Sequence, residues 1–269
     1  MLPTNSRTEA AVGRVDWLSV TLLLGGVLLL YYLLALLSLV VHQPPGAVLA
    51  RLSDPDVIGA ARTSLTASAI STLIATLFGV PLAYWLARTD GELTRLVTAV
   101  VLLPLVLPPV VSGMVLLTVV GPGTALGEVA TARGFPLTRS LAGVVLAQTF
   151  VASPFVVVTA KATFESIDRS LEYASQSLGT SRLMTFRQVT LPLAWPGILA
   201  GITLAFARAI GEFGATIMLA YYPRTMPVQI WVSFTTLGLD NAFPVAVVLV
   251  GIAVATLVVL NALGTNPLE

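Results

Sequence analysis

The run Glu172-Tyr173-Ala174-Ser175-Gln176-Ser177-Leu178-Gly179, with Val189-Thr190-Leu191-Pro192 following ten residues later, is a polar, helix-forming island set between long apolar runs. A chain that merely crosses a membrane has no need of a structured loop of this length between two spans. The island therefore predicts a multi-span protein whose loop is gripped by something outside the bilayer.

Composition supports the membrane half of that reading. Of the 269 residues, 56% are hydrophobic and 10% are charged, and the mean hydropathy is +0.92. Soluble domains carry about 25% charged residues. This apolar surface exceeds what a globular core can hide, and only helices or closed barrels satisfy the backbone in lipid. Continuous apolar runs without period-two alternation favour helices. The formal net charge of +1 gives no basic surface for nucleic acid, so no nucleic-acid partner is expected. The absence of cysteine excludes disulfides and thiolate chemistry. His42, the one histidine, ends an apolar run and reads as an interfacial residue rather than a metal ligand. No metal site is expected.

Six spans are predicted. Trp17 to Val41 is the first, preceded by a 1–16 segment, and is long enough to cross a bilayer and to be retained as an anchor. A core region follows over 57–264. It begins with Val57 to Ala87, then Leu96 to Val120, which is interrupted by Pro104 and Pro108-Pro109. Those prolines mark either a harmless kink or a bent helix lining a pathway. A Gly-rich loop covers Gly121 to Arg139, and the fourth span is Leu141 to Phe164, with Lys161 placed to snorkel. Gly197 to Leu219 is the fifth span, Tyr221 to Asn241 an outer segment, and Phe243 to Leu260 the sixth.

The basic residues orient these spans. With a cytoplasmic N-terminus, the inner side holds Arg7, Arg14, Arg88, Arg95, Lys161, Arg169, Arg182 and Arg187, against Arg51, Arg62, Arg133, Arg139 and Arg224 outside. Both termini and the island, within a loop over 165–195, are then cytoplasmic. In the island, Asp168 and Glu172 lie near a helix start and complement its dipole. Ile167, Leu171, Ala174 and Leu178 fall on one apolar face. Gly179 permits a turn, and a second short helix over Arg182 to Val189 is expected to stop at Pro192. Two short helices and a glycine elbow make a knob suited to a partner's groove; an amphipathic loop lying on the membrane is the alternative.

The same residues resemble the coupling loop of ATP-binding-cassette importer permeases, whose pattern runs Glu-Ala-Ala, three residues, Gly, nine residues, Ile, one residue, Leu-Pro. Gly179, Val189 and Leu191-Pro192 stand in that register; Tyr173 and Ser175 replace the pattern's Glu and second Ala, and Glu172 stands one place earlier. Ala207-Arg208-Ala209-Ile210-Gly211-Glu212-Phe213-Gly214-Ala215-Thr216-Ile217-Met218 resembles the signature of oxyanion permeases, its Gly-Glu-Phe-Gly-Ala-Thr part most like the molybdate and tungstate branch. The resemblance implies an all-α type I importer permease of six transmembrane helices in a cell membrane. Glu172, Tyr173, Ala174, Ser175, Gly179, Leu191 and Pro192 would couple to an ATPase subunit that binds ATP and Mg, leaving this chain without a cofactor. A second permease copy and an extracytoplasmic binding protein would complete the system. A sulfate or thiosulfate permease is the alternative within the superfamily.

Arg208 and Glu212 are the charges deep in the fifth span, four residues apart on one helical face. Charge near mid-membrane costs about 3 kcal/mol on insertion scales, so mutual neutralisation outweighs direct anion contact, and Glu212 would repel a dianion. Gly211 and Gly214 are expected to allow close helix approach, Phe213 lies between them, and Thr216 is expected to bond back to its own helix more readily than to an anion. No Gly-x-x-x-x-Gly-Lys-Ser/Thr occurs in the sequence, so ATP is expected to bind elsewhere. An ion-coupled secondary transporter would need acidic or histidine groups in several spans, and an intramembrane enzyme would need a nucleophile-base pair or a metal cluster. The sequence supplies neither, and a transport subunit rather than an enzyme is expected.

Overall fold

A computed structural model describes residues 17 to 264, with side chains up to residue 259, and every regular element among them is helical. The predicted 1–16 segment lies outside the described residues. The chain divides into two compact units at Pro45. In the first, α1 (Trp17–Val41) is a uniformly apolar helix with the Tyr31 and Tyr32 rings 5.8 Å apart. The second unit, from Gly46, takes in the rest of α2 (Pro45–Leu52) and then α3 (Pro55–Arg88). Asp54 caps α3 by accepting the Asp56 N–H at 2.9 Å, and Pro55 occupies the first turn, where its missing donor costs nothing.

Beyond α3, the expected single third span is broken. It divides into α4 (Glu92–Val106) and α5 (Pro109–Val120), bent by 120°. Leu107 and Pro108 both take extended ψ near 134–135°, because a residue preceding proline is driven from the α region. Two consecutive prolines therefore reverse the chain instead of kinking it. The predicted Gly-rich loop holds a short α6 (Ala125–Ala132), capped by Thr124, whose Oγ1 accepts the Gly127 N–H at 3.1 Å.

α7 (Leu141–Ser166) begins at Ser140, which accepts the Gly143 N–H at 3.1 Å, and packs along α3. Next come α8 (Arg169–Ser177), the four-residue α9 (Arg182–Thr185), a π-turn over Phe186–Thr190, and α10 (Leu191–Ile210). α11 (Gly214–Leu219), α12 (Met226–Leu237) and α13 (Leu239–Gly264) complete the described chain. Among the described residues, five helical runs are long and apolar enough to cross a membrane, or six if the bent pair α4 and α5 counts as one. The predicted outer segment is largely α12, whose Met226, Val228, Gln229 and Ser233 are buried.

Apolar burial drives little helix association inside a bilayer, where lipid is as apolar as leucine; close approach of small residues does more. A Cβ at Gly79 of α3 would meet Val157 Cγ2 at 3.2 Å, and one at Gly201 of α10 would meet Thr159 Cβ at 3.1 Å, so α3 and α10 both lie tight on α7. Hydrogen bonds add specificity. Ser71 Oγ donates to Gln148 Oε1 at 3.3 Å between α3 and α7, and Ser64 Oγ accepts the Met226 N–H at 2.8 Å between α3 and α12. Arg51 bridges Asp54 at 3.0 Å and Asn241 at 2.7 Å, tying α2 to the start of α13.

Candidate functional site

The predicted knob forms, with a different interior. Asp168 caps α8, its Oδ1 accepting the Ser170 N–H at 2.8 Å, and that backbone bond holds the Asp168 carboxyl below the ordinary carboxylate range. Gly179 closes the elbow at φ +88°, with its N–H donating to Gln176 O at 2.9 Å. L side chains pay for this left-handed conformation, whereas glycine adopts it freely. Ser181 caps α9, and the Ser175 and Thr185 hydroxyls lie 3.2 Å apart, stitching the two short helices together.

Pro192 does not end the second knob helix. α9 passes through the π-turn into α10, making one 29-residue helical run from Arg182 to Ile210. The Leu191 N–H donates to Phe186 O, five residues back. Pro192 then sits in the first turn of α10, exposed, where its lack of a donor is tolerated. Leu191 packs toward Phe164 and Ile198 in the cluster beneath the knob. The expected apolar face of α8 is turned outward beyond Ile167, which alone of its members joins that cluster: Ala174 is exposed, Leu171 is 47% exposed and Leu178 88%, with Tyr173 exposed beside them. Leu183 and Met184 continue this exposed apolar surface onto α9.

Glu172 points the other way. Its Oε1 accepts from Arg88 Nη2 at 2.7 Å, from Arg88 Nε at 3.1 Å and from Thr190 Oγ1 at 2.9 Å. Arg88 Nη1 also donates to Phe164 O at 2.7 Å. The Arg88 and Glu172 pair thus joins the end of α3, the end of α7, α8 and the π-turn. Tyr84 stacks edge-on between Phe164 and Phe186, with centroids at 5.3 and 4.8 Å, and lies 5.8 Å below the Arg88 guanidinium.

The fifth span ends early, at Ile210, and α11 is a separate short helix; residues 197–219 are not one rod. Arg208 and Glu212 form the expected ion pair. Glu212, 1% exposed, also accepts the Ala215 N–H at 2.8 Å, so the same carboxylate closes α10 and caps α11. Four residues of spacing allowed the pair, and the helix breaks at Gly211 between α10 and α11. Gly214 makes the predicted close approach, since a Cβ there would meet Pro109 Cβ at 2.8 Å and Val110 N at 2.9 Å. Gly211 does not: its nearest neighbour would be Ala207 O at 3.7 Å. From the opposite side, Gly113 of α5 lets α11 in, as a Cβ there would meet Ala215 O at 2.8 Å. Phe213 lies 5.7 Å from the Trp231 ring of α12. Thr216 does not bond back to its helix; it is fully buried, and its Oγ1 has no hydrogen-bond partner among the described residues. Lys161 pairs with Glu165 at 2.5 Å rather than standing alone at an interface.

Sequence reasoning missed Arg88 and Thr190, because partners 84 and 18 residues from Glu172 leave no periodic trace. It also missed Ser64, Ser68, Ser71 and Thr72, all buried. Their spacing of four, three and one residues is helical, and a polar stripe inside an apolar span was the available signal.

Residues 79–265 match the family described as binding-protein-dependent transport system inner membrane component. A probable molybdenum ABC transporter permease protein of Haloferax volcanii is 59% identical over 98% of each chain. The molybdate/tungstate transport system permease protein of Methanocaldococcus jannaschii is 37% identical over 80% of this chain and 84% of its own. Among solved structures, a chain of a bacterial alginate ABC transporter superposes with a TM-score of 0.72 at 18% identity, covering 93% of this chain and 94% of that one. At that identity the likeness speaks for the fold alone.

Proposed function

The chain belongs to the family of binding-protein-dependent transport system inner membrane components, and from that membership we propose that it is the permease subunit of an ATP-driven importer of molybdate or tungstate. The observation that carries the cargo is the 59% identity, over nearly the whole chain, to a probable molybdenum permease. The knob carries the drive. A separate ATPase subunit, which binds ATP and Mg, seats the exposed Tyr173, Leu178 and Leu183 surface, and an external binding protein delivers the anion to a pathway formed with a second permease copy. Both termini and the knob face the cytoplasm in this reading.

The residues divide the work. Gly179 sets the elbow, Ser175 holds α8 to α9, and Glu172 stays inside and carries displacement of α8 to Arg88 on α3. Through Leu191 and Pro192 the same displacement enters α10, whose far end is the Arg208 and Glu212 joint. Glu212 neutralises Arg208, so the anion meets no fixed trap on this pair; weak binding and release suit transport.

The test is reconstitution of the full chain with its ATP-binding partner and binding protein in proteoliposomes, offering molybdate, tungstate and sulfate. Molybdate or tungstate uptake driven by ATP is expected, and equal or preferred sulfate uptake would overturn the cargo. Gly179→Leu should keep ATP hydrolysis while uptake per ATP falls at least about tenfold, since a side chain at φ +88° costs about 1–2 kcal/mol and displaces the elbow. Unchanged coupling would count against the knob's role.

A further inference from the structure

Five basic side chains among the described residues are half-buried: Arg51, Arg88, Lys161, Arg208 and Arg224. The first four each meet a carboxylate, on Asp54, Glu172, Glu165 and Glu212 in turn. Arg224 meets none. Its Nη1 donates to the neutral amide oxygen Oε1 of Gln229 at 3.2 Å, and its Nε, closed off from solvent, has no hydrogen-bond partner among the described residues. Thr225, next to it, is wholly buried, and its Oγ1 has no partner there either. Both residues stand at the N-terminus of the 12-residue α12, which Thr225 enters without a side-chain bond to the helix, and the positive end of the helix dipole adds to the potential. The Met226 N–H bond to Ser64 fixes this point on α3. At 1.5 Å per residue, Ser64 lies about 36 Å along that helix from Arg88, so Arg224 is at the end away from the knob.

We propose that Arg224, with the Thr225 hydroxyl behind it, binds the transported oxyanion as it enters the permease at the end opposite the knob. A guanidinium drawn part-way out of water without a counter-charge is costly, and the other four half-buried cations are each neutralised by a carboxylate of the chain. At Arg224 the described residues supply no such charge, and a dianionic cargo does. Arginine's planar fork suits the oxygens of a tetrahedral anion. Gln229, itself buried, holds the fork in place and brings no charge to cancel it. One arginine within reach of solvent binds weakly enough to release its anion, as transport requires. Arg208, neutralised by Glu212, is a structural pair; Arg224 is a contact for a visitor. The proposal rests on the reading of the chain as an oxyanion permease.

In proteoliposomes holding the full chain with its ATP-binding partner, ATP-driven molybdate uptake is measured against the concentration of molybdate-loaded binding protein. Wild-type protein that takes up neither molybdate nor tungstate would sink the permease reading itself, before any variant is compared. R224Q should lower the maximal uptake rate about tenfold, the scale of one lost hydrogen bond to a charged group, and leave the half-saturating binding-protein concentration within about twofold. R224K, which keeps the charge but not the fork, should come within about threefold of wild type. T225V, which keeps the shape and drops the hydroxyl, should lower the maximal rate about threefold. Should R224Q fail to assemble, T225V decides alone. R62Q, at an exposed arginine of α3 two residues before Ser64, should change the maximal rate less than about twofold. An unchanged maximal rate in R224Q, an equal loss in R62Q, or a loss in R224K as large as that in R224Q would overturn the proposal. So would a raised half-saturating concentration with the maximal rate unchanged, which would assign Arg224 to a carboxylate of the docking binding protein.

Discussion

Glu172 and Glu212 each meet an arginine beside a break in helical structure, but over different reaches. Glu212 works locally, on Arg208 four residues before it and the Ala215 N–H three residues after it. Glu172 reaches Arg88 and Thr190, drawing α3 and the π-turn onto α8 at one oxygen, and Arg88 extends the network to α7 through Phe164 O. The first fixes the angle between two consecutive helices, whatever surrounds them. The second registers a protruding loop against spans that are distant in sequence. The joint at Glu212 is thus held by its sequence neighbours, whereas the joint at Glu172 is held by the body of the protein.

That contrast can be broken most forcefully at Glu212. Glu212→Ala leaves Arg208 unpaired and α11 uncapped, and should cost about 3–5 kcal/mol, read as loss of folded protein in a denaturation series. Replacing both Arg208 and Glu212 with methionine should recover the part of that loss due to the unpaired charge, leaving only the lost Ala215 cap. At the knob, Glu172→Ala should cost about 3 kcal/mol, the lower end of the same range because its carboxylate is slightly more exposed than that of Glu212. There the double apolar replacement with Arg88 should fail to restore coupling, because the bonds to Phe164 O and Thr190 are lost with it. Restored uptake in that double variant would show Glu172 to be as local in its effect as Glu212.

A smaller effect sharpens the bilayer side. Gly214→Ala forces a methyl against Pro109 Cβ and should cost about 1–3 kcal/mol, while Gly211→Ala should cost less, having room and a negative φ; parallel thermal melts compare the two. The smallest effect is at Asp168. Its folded-state pKa is depressed, so the cap contributes fully above the unfolded carboxyl value and is lost as pH falls through the lower folded one. Hydrogen exchange at the Ser170 amide should lose protection in that acid window, and Asp168→Asn should abolish the pH dependence while keeping the cap.

The difference in reach also explains what the sequence disclosed. Several features with a short period were legible, namely the apolar runs, the Gly179 elbow, and the Arg208 and Glu212 pair at one helical turn, although the equally periodic stripe of Ser64, Ser68, Ser71 and Thr72 was overlooked. Pro108-Pro109 were legible as an interruption, but the 120° reversal needed α11 to pack in through Gly113 and Gly214, which are distant in sequence. Glu172 was recognised as part of the loop, but its inward direction was hidden because Arg88 belongs to another span. Pro192 misled as a stop signal, since the π-turn before it satisfies the geometry that proline would otherwise disrupt.

The unbroken run from Arg182 to Ile210 has a mechanical meaning. At 1.5 Å per residue, its 29 residues make a shaft about 44 Å long. Its near end is part of the surface that protrudes from the body, and its far end is pinned by the buried Glu212. Under the proposed coupling, a small sideways displacement at the near end tilts the whole shaft about α7 and loads the Glu212 joint at its far end. Force applied outside the bilayer need not be relayed contact by contact; it arrives as torque.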